Sequence, residues 1–410
     1  MKRVLLVTQY FYPENFKSND IAFELKKRGY CVDALVSIPN YPAGKYYDGY
    51  GIFRKRKEQI NGVNVYRVFQ TPRGVRHSGV KLALNYLTYA FFGTFWALWL
   101  ALFKKKYDAI LVHEPSPILQ AWPAIVVGKL RKTPIYTWIL DIWPDAMRSG
   151  GGVKNEKIIG LIDKFVQWVY RCSDKILISS EDFKGLVNRK ADYSDKIIYF
   201  PNWCDDMLEM DKPKIASLPE GFRVMMAGNL GSAQDIRTVM QAVALLKDYK
   251  DIKWIFVGDG SEREYIESFV VEHGLQETVF LTGKRPFGEM PSYFAQATVM
   301  LLTLRAEYPH LKAVVPARLQ SYMSAGKAIV GMIDGGSASI IARSECGCCA
   351  PAADFEQLSQ KILWMYEHQE SLSQMGENGR QFYERYFTKH LCIDNLEDII
   401  NGKEKVKHDI

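Results

Sequence analysis

The chain has 410 residues, of which 48% are hydrophobic and 24% charged, and its formal net charge is +7. These proportions match soluble globular proteins and exclude wholesale disorder, collagen-like or coiled-coil structure and a multi-span transporter. At roughly 150 residues per domain, the length predicts two or three domains. The charge is unevenly divided, since residues 1–203 carry 31 Lys and Arg against 17 Asp and Glu, whereas residues 204–410 carry 22 against 29. A basic half of +14 therefore precedes an acidic half of −7.

The cysteines and the N-terminal residues favour a reducing, cytoplasmic setting. Seven cysteines are an odd number in a long chain, and their spacing does not resemble a disulfide framework. Cys348 and Cys349 have no second Cys or His pair at zinc-ligand spacing, so we expect no metal. The apolar run Val4–Val7 breaks at Gln9 with no cleavage site after it, which predicts a buried strand rather than a signal peptide.

Short apolar segments alternate with helical segments along the chain, a pattern typical of parallel sheets with right-handed crossovers. In the first half, the predicted elements are strand 3–8, helix 19–28, strands 32–38 and 63–68, helix 82–103, strand 109–112, helix 122–130, strand 135–140, helix 158–171, and strands 175–178 and 196–200. After a polar linker at 205–219, they are strand 223–227, helix 236–246, strands 254–257, 279–281, 299–304 and 328–332, and helix 379–400.

The pattern therefore predicts an α/β protein with two doubly wound domains. We expect a first domain at 1–203 and a second at 204–378. The helix at 379–400 is expected to cross back to the first domain, and residues 401–410 form a charged tail that we expect to be disordered.

Leu82–Phe103 is apolar over 22 residues, with Lys81 before it and Lys104–Lys106 after it. The segment is long enough to span a bilayer, but a span would place strands of one sheet on opposite sides of the membrane. Besides a span, there are two alternatives: a helix buried within the domain, and a helix partly dipped into the lipid interface. Aromatic residues and flanking lysines suit the interface of an anionic membrane.

Ligands of parallel α/β sheets bind beyond the carboxyl ends of the strands, so the loops there are the candidate sites. Gly228-Asn229-Leu230-Gly231 follows one predicted strand and precedes a helix, where free N–H groups and close backbone approach favour phosphate. Gly258-Asp259-Gly260 follows the next strand. Neither matches the dinucleotide fingerprint, and each is equally compatible with a structural turn.

The segment from Arg305 to Val330 is rich in basic residues around a helix that starts near Pro316. Lys312 and Arg318 flank that helix start, and guanidinium and ammonium groups there suit a diphosphate. An ordinary helix with a solvated charged face is the alternative.

The run Pro316–Val330 resembles the donor-binding helix of glycosyltransferase family 4, whose common form reads Pro-Ser-Lys-x-x-Glu-Tyr-Met-Ala-Ala-Gly-Lys-Pro-Ile-Val. Further motifs follow in the family's order: Tyr12-Pro13-Glu14, Pro39-Asn40-Tyr41-Pro42, His113-Glu114-Pro115, Asp141-Ile142-Trp143-Pro144-Asp145, Pro201-Asn202, the Gly228 loop and the Gly258 loop. They look most like the O-antigen and capsule branch that includes fucosamine transferases. The resemblance implies the GT-B fold, with two Rossmann-like domains facing a central cleft.

The sequence departs from the family at four charged positions. Two glutamates that normally contact the donor ribose and the transferred sugar fall at Ser321 and Ala313, and the phosphate-loop Arg and Lys fall at Asn229 and Gln234. Arg318 keeps the cation of the helix motif. Lys312 or Arg305 can replace missing cations, Gln320 or Ser321 can hydrogen-bond a ribose, and the changes fit a deoxy or N-acetylated donor sugar.

Two residues of the first domain are the catalytic candidates. In the family, a His at the position of His113 contacts the donor sugar, and a satisfied structural His is the alternative. Asp141 follows the next predicted strand, where a carboxylate can orient or deprotonate an acceptor hydroxyl, or cap the following turn. Weaker candidates are Glu114, Asp145, Asp259 and Glu307.

The resemblance implies a hexosyltransferase-type enzyme that moves a sugar from a nucleoside diphosphate to a polyprenyl-diphosphate-linked saccharide, with retention at the anomeric carbon. No Asp-x-Asp constellation is present, so we expect no catalytic metal and no cofactor beyond the donor substrate. The basic first domain, including Arg54–Lys57, Arg73, Arg76 and Lys81, is expected to rest on the inner face of an anionic membrane as a peripheral protein.

Three other classes compete with the transferase. They are another GT-B-like enzyme such as a sugar-nucleotide epimerase or a phosphorylase, a non-catalytic membrane scaffold, and a nucleic-acid binder. The sequence has neither the cofactor-lysine setting of a phosphorylase nor a nucleic-acid-binding fold signature.

Overall fold

A computed structural model describes residues 1–74, 79–150, 155–305 and 307–403. The chain divides into two compact units. The first unit contains Met1–Ser179, Phe183–Phe200 and the chain from Ile393, and the second contains Ser180–Asp182 and Pro201–Cys392. Arg76 of the predicted basic surface and residues 404–410 of the predicted tail lie outside the described residues.

The first unit is built on an eight-stranded sheet whose strands, in spatial order, are β3-β4-β2-β1-β5-β6-β7-β8. All neighbours pair in parallel except β3 and β4, which are antiparallel. The strands are β1 (Arg3–Val7), β2 (Cys31–Ser37), β3 (Lys57–Ile60), β4 (Val63–Val68), β5 (Ala109–Glu114), β6 (Ile135–Ile139), β7 (Lys175–Ile178) and β8 (Ile197–Tyr199). The helices are α1 (Lys17–Lys27), α2 (Gly79–Phe103), α3 (Ala121–Arg131), α4 (Asp145–Gly150), α5 (Glu156–Cys172) and α6 (Phe183–Val187).

The second unit is built on a six-stranded parallel sheet in the order β11-β10-β9-β12-β13-β14. Its strands are β9 (Phe222–Ala227), β10 (Ile252–Val257), β11 (Val279–Gly283), β12 (Val299–Thr303), β13 (Ala328–Met332) and β14 (Gly347–Ala350). Its helices are α7 (Ile236–Leu245), α8 (Arg263–His273), α9 (Met290–Gln296), α10 (Pro309–Ala313), α11 (Ala317–Ser324), α12 (Gly335–Arg343), α13 (Phe355–Glu367) and α14 (Leu372–Tyr386), and α15 (Lys389–Ile400) follows.

The two parallel α/β sheets predicted from the sequence are confirmed. Central strands such as β1 and β12 are nearly continuous runs of apolar residues that are buried on both faces. Strands covered by helices on both sides need such runs, which explains why the apolar pattern located them so well.

The structure differs from the prediction in several segments. β3 was missed because it is a polar edge strand, Lys-Glu-Gln-Ile, with little burial. The predicted linker after Cys204 packs on the second unit, where Met207 is buried and Asp206 pairs with Arg380. The single helix predicted at 379–400 is instead the end of α14 and the whole of α15, since Thr388 between them makes a β-bridge to Cys204.

Helix α2 lies on the first sheet and against α3, and only one of its faces is buried. A Cβ on Gly93 would lie 2.7 Å from the Pro123 side chain, so this glycine permits close helix packing. The interpretation as a fully buried helix is therefore wrong. The exposed face carries an apolar stripe: Val80, Leu84, Leu87, Phe91, Phe92, Phe95, Leu98, Leu102 and Phe103. By length and composition, α2 is the helix of the described residues that could cross a membrane.

Candidate functional site

In the second unit, the order in which strands are added to the sheet changes direction between β9 and β12. Strands β10 and β11 extend in one direction from β9, and β13 and β14 extend in the other from β12. The loops beyond the carboxyl ends of β9 and β12 therefore diverge and leave a crevice, the usual ligand position in doubly wound sheets. Arg305 after β12 donates its backbone N–H to Ala233 O at 3.0 Å, which ties the two loops together.

Two glycine loops form one wall of this crevice through direct backbone contact. Gly228 N donates to Val257 O at 2.8 Å, and Leu230 N donates to Asp259 O at 2.9 Å. Gly258 has φ +152°, and a Cβ there would lie 1.8 Å from Gly228 O. Only glycine permits this approach, so the loops predicted from the sequence form a single backbone layer. Exposed Gly228 and Asn229 lie at its surface.

Arg318 on α11 lies against this layer. Its Nη2 donates to Asn229 O at 3.3 Å. One turn later, Tyr322 Oη accepts from Ala227 N at 3.0 Å and fixes α11 to the end of β9. Arg318 Nη1 is buried and has no hydrogen-bond partner within the described part of the chain. A fixed guanidinium with an unused N–H group beside a glycine loop suits a phosphate oxygen.

Other predicted residues of the phosphate loop take local roles. Asp259 is exposed and accepts from Gly260 N at 2.8 Å, so it caps its own turn. Gly231 N donates to Gln234 Oε1 at 3.1 Å. Gln234 thus closes the loop by a neutral hydrogen bond.

Most of the predicted donor-binding residues around α11 make contacts within the protein. Pro316 is the N-cap residue of α11, one position before the first helical residue, Ala317. Lys312 pairs with Asp334 at 3.0 Å, so a carboxylate already neutralises this cation. Ser321 Oγ donates to Ala317 O at 3.2 Å but stays partly exposed. Gln320 is 1% exposed, and the prediction that it contacts a ribose does not fit this burial.

In the first unit, the corresponding change of direction lies between β1 and β5. His113 is on β5, is 2% exposed, and packs on Trp138 with a ring-centroid distance of 5.2 Å. Neither ring nitrogen has a hydrogen-bond partner among the described residues. Burial, aided by the charge of Lys17, lowers the pKa of His113 to about 3, so the ring is neutral. The ring is therefore enclosed among core residues, and its contact with a donor sugar stays a prediction.

Two carboxyl groups lie at the ends of neighbouring strands β5 and β6. Leu140 N donates to Glu114 O at 3.2 Å, which joins the two strand ends. Burial raises the pKa of Asp141 to about 6. Glu114 is fully buried, neither carboxyl oxygen has a partner in the described chain, and burial together with the Asp141 charge raises its pKa well above the ordinary value. The raised pKa values favour the protonated forms, and a carboxyl group with a pKa of about 6 can exchange a proton with a hydroxyl near neutral pH.

Sequence reasoning missed Glu14, which organises the loops at this edge. Its Oε1 accepts from Asn40 N and Tyr41 N, each at 2.7 Å. The residue stands in the quoted Tyr-Pro-Glu motif, but only the fold brings it to the Asn-Tyr-Pro motif. The aromatic residues that follow the ends of β1 and β2, Tyr12 and Tyr41, were the sequence signal that could have indicated this site.

Comparisons with known proteins agree with this architecture. Residues 209–382 match the sequence model of the family described as Glycosyl transferases group 1. The probable glycosyltransferase WbjE of Pseudomonas aeruginosa is 23% identical over 306 residues, which cover 71% of this chain and 74% of that protein. The putative colanic acid biosynthesis glycosyl transferase WcaI of Escherichia coli is 22% identical over 316 residues, covering 74% and 75%.

Solved structures resemble the whole chain. Sucrose-phosphate synthase from Thermosynechococcus elongatus superposes with a TM-score of 0.75 at 14% identity, covering 98% of this chain and 99% of that one. HepE of Anabaena in complex with UDP and glucose superposes with a TM-score of 0.66 at 13% identity, covering 98% and 99%. The fold is therefore GT-B, with two Rossmann-like domains. Together with the family match, these similarities support a glycosyltransferase.

Proposed function

We propose that the chain transfers a sugar from a nucleoside diphosphate to a hydroxyl of a polyprenyl-diphosphate-linked saccharide during surface polysaccharide synthesis. The observation that carries the proposal is Arg318 with its buried, unpartnered Nη1 beside the glycine layer of Gly228 and Gly258. Similarity to HepE, whose structure contains UDP, supports a nucleoside diphosphate donor. Similarity to the putative colanic acid biosynthesis glycosyl transferase WcaI supports a role in polysaccharide synthesis.

The glycine layer and Arg318 are proposed to act on the leaving group. Negative charge accumulates on the diphosphate as the bond to the sugar breaks. Backbone N–H groups and a guanidinium that are already in place stabilise that charge without reorganisation. In the first unit, Asp141, whose pKa burial raises to about 6, is proposed to take the proton of the acceptor hydroxyl. The proposal includes a retained anomeric configuration and activity without a metal.

The decisive test is transfer itself. The full chain is incubated with a panel of nucleotide sugars and a short polyprenyl diphosphate sugar, and product masses are read with and without EDTA. We expect a product one sugar heavier with one donor, in both conditions. No product with any donor would overturn the transferase proposal, and an activity lost to EDTA would overturn its metal-independent form.

A matched pair of variants tests the donor site. Arg318→Gln should raise the Kd for the nucleoside diphosphate about 10- to 100-fold, since a charged hydrogen bond is worth about 1.5–3 kcal/mol. Arg285→Gln removes an exposed arginine of the same unit, whose Nε donates to Thr282 O, and should leave the Kd unchanged. If the two variants have equal Kd values, Arg318 does not contact the donor.

We further propose that the apolar stripe of α2 rests in the interface of an anionic membrane. Exposed Lys105 and Lys106 at its end supply the attraction to head groups. Reversing both charges to Glu should weaken binding to phosphatidylglycerol vesicles, whereas the same change at exposed Lys247 and Lys250 of the second unit should not. Unchanged binding of the Lys105/Lys106 variant would contradict this placement.

A further inference from the structure

A guanidinium surrounded by tyrosine rings lies at the carboxyl edge of the first sheet. The Cζ of Arg73, in the segment after β4, is 5.1 Å from the ring centroid of Tyr10, 5.2 Å from that of Tyr41 and 5.6 Å from that of Tyr86. One Arg73 nitrogen also donates to the Tyr10 hydroxyl. Phe16 stacks on Tyr10 at 4.5 Å. We call these five residues the Arg73 cluster.

Hydrogen bonds between loops hold the Arg73 cluster in place. Glu14 Oε1 fixes the backbone of Asn40 and Tyr41, and Asn40 Oδ1 accepts from Arg73 N at 3.3 Å. Tyr10 O accepts from Ser18 Oγ at 2.6 Å. The loops after β1, β2 and β4 are therefore joined to one another, so the rings and the guanidinium are positioned before any ligand arrives. Preorganisation of this kind lowers the entropy cost of binding.

The charge of Arg73 is not neutralised by a carboxylate of the described chain, where it forms no ion pair and its buried Nε has no hydrogen-bond partner. Residues 75–78, which follow it, are Val, Arg, His and Ser, so they contain no acid. Glu14 accepts two backbone N–H groups through Oε1 and forms no ion pair with Arg73 within the described residues. A half-buried cation without an anionic partner is a site that an anionic ligand can complete.

The cluster is open on its Tyr41 side, since Tyr41 is 39% exposed and Tyr10 only 3%. Tyr86 is partly exposed and continues the aromatic surface to Trp143, at a ring-centroid distance of 6.3 Å. A cation with adjoining aromatic faces fits a ligand that carries phosphate next to a ring with an apolar face.

We propose that the Arg73 cluster binds the sugar diphosphate of the acceptor, with Arg73 on phosphate oxygens and the rings of Tyr41 and Tyr86 against the sugar. This inference rests on the proposed transferase function and names the acceptor site within it. The ligand class is a sugar linked to a diphosphate, and the anionic head group of a membrane lipid is the competing source of phosphate.

The test compares three probes on the full chain: farnesyl diphosphate N-acetylglucosamine, UDP, and phosphatidylglycerol vesicles. Arg73→Gln should raise the Kd for the farnesyl probe about 10- to 100-fold and leave UDP and vesicle binding unchanged. Arg73→Lys should recover part of the affinity, since an ammonium keeps the charge without the planar fork. Arg385→Gln, which removes a guanidinium 5.3 Å from Tyr386 in the second unit, is the matched control.

Tyr41→Ser is the second variant, because this ring is exposed and the Glu14 bonds at this position go to the backbone. It should also weaken binding of the farnesyl probe, and its unfolding midpoint should stay close to that of the wild type. A farnesyl-probe Kd in both cluster variants equal to that of Arg385→Gln would overturn the inference, as would a parallel loss of vesicle binding in Arg73→Gln.

The two proposals fail separately. If the wild type transfers sugar and the cluster variants keep its acceptor KM, the acceptor site is wrong and the transferase stands. If the wild type binds the farnesyl probe in an Arg73-dependent way but transfers nothing from any donor, the transferase is wrong and the binding site stands.

Discussion

Replacing Gly258 by alanine tests whether the two glycine loops of the second unit form one backbone layer. Gly258 has φ +152°, a conformation that essentially only glycine adopts. An added Cβ would lie 1.8 Å from Gly228 O, far inside contact distance. The nearby atom belongs to backbone, so a side-chain rotation cannot relieve the overlap. The loop of Gly228 has to move away from Val257, which accepts its N–H at 2.8 Å.

The expected cost follows from these two effects. A strained backbone conformation costs about 1–3 kcal/mol, and forcing extra volume into a packed site costs about 1–3 kcal/mol. We therefore expect Gly258→Ala to lower the free energy of unfolding by about 3 kcal/mol. Because Arg318 donates to Asn229 O in the displaced loop, the Kd for UDP should rise at least about 10-fold.

Urea unfolding and titration calorimetry with UDP measure the two effects. Gly274→Ala is the control, since Gly274 also has a positive φ, +65°, but nothing lies within 4 Å of its added Cβ. It should cost about 1 kcal/mol and leave UDP binding unchanged. If the two alanine variants unfold with the same free energy and bind UDP equally, the close approach of the loops does not exist and the reasoning fails.

Two further predictions concern single carboxyl groups. Burial raises the pKa of Glu14 from 4.5 to about 7, so the free energy of unfolding should fall by about 3 kcal/mol as pH rises through that range. Glu14→Gln should lack this pH dependence, and parallel pH profiles of the two proteins in urea unfolding would contradict the prediction. Burial opposes ionisation of Asp206, but hydrogen bonds from Arg380 at 2.6 Å lower its pKa. Asp206→Asn should therefore lower the free energy of unfolding by about 2 kcal/mol at pH 7 and by progressively less below about pH 4. A loss of stability that does not change with pH would refute the ion pair.

The apolar pattern alone located most of the sheets. Val63–Val68 was predicted with the bounds that β4 has, and five of the six strands of the second unit lie within a few residues of their predicted bounds, whereas β14 was not predicted. Glycines after strands marked the glycine layer for the same reason, since a positive φ or a backbone contact restricts the residue type locally. Properties that depend on a few consecutive residues can be read from the sequence.

Side-chain partners could not be predicted in this way. Lys312 looked like a diphosphate ligand, but the fold gives it Asp334, 22 positions later. Gln320 and His113 had suitable chemistry, and the fold turned both into the core. The exposure of one face of α2 was equally hidden, because its composition is apolar on all sides and only packing against Pro123 and the sheet decides which face is covered.

The sequence by itself determined two α/β domains of opposite charge, the glycine layer and the helix that places Arg318 against it. Tertiary structure decided which polar groups remain without partners. Tyr10, Tyr41 and Arg73 are far apart along the chain and meet only because parallel strands bring their carboxyl ends to one edge of the sheet. Whether a charge is neutralised depends on every group within a few ångströms, and that set is fixed by the fold rather than by neighbours in sequence.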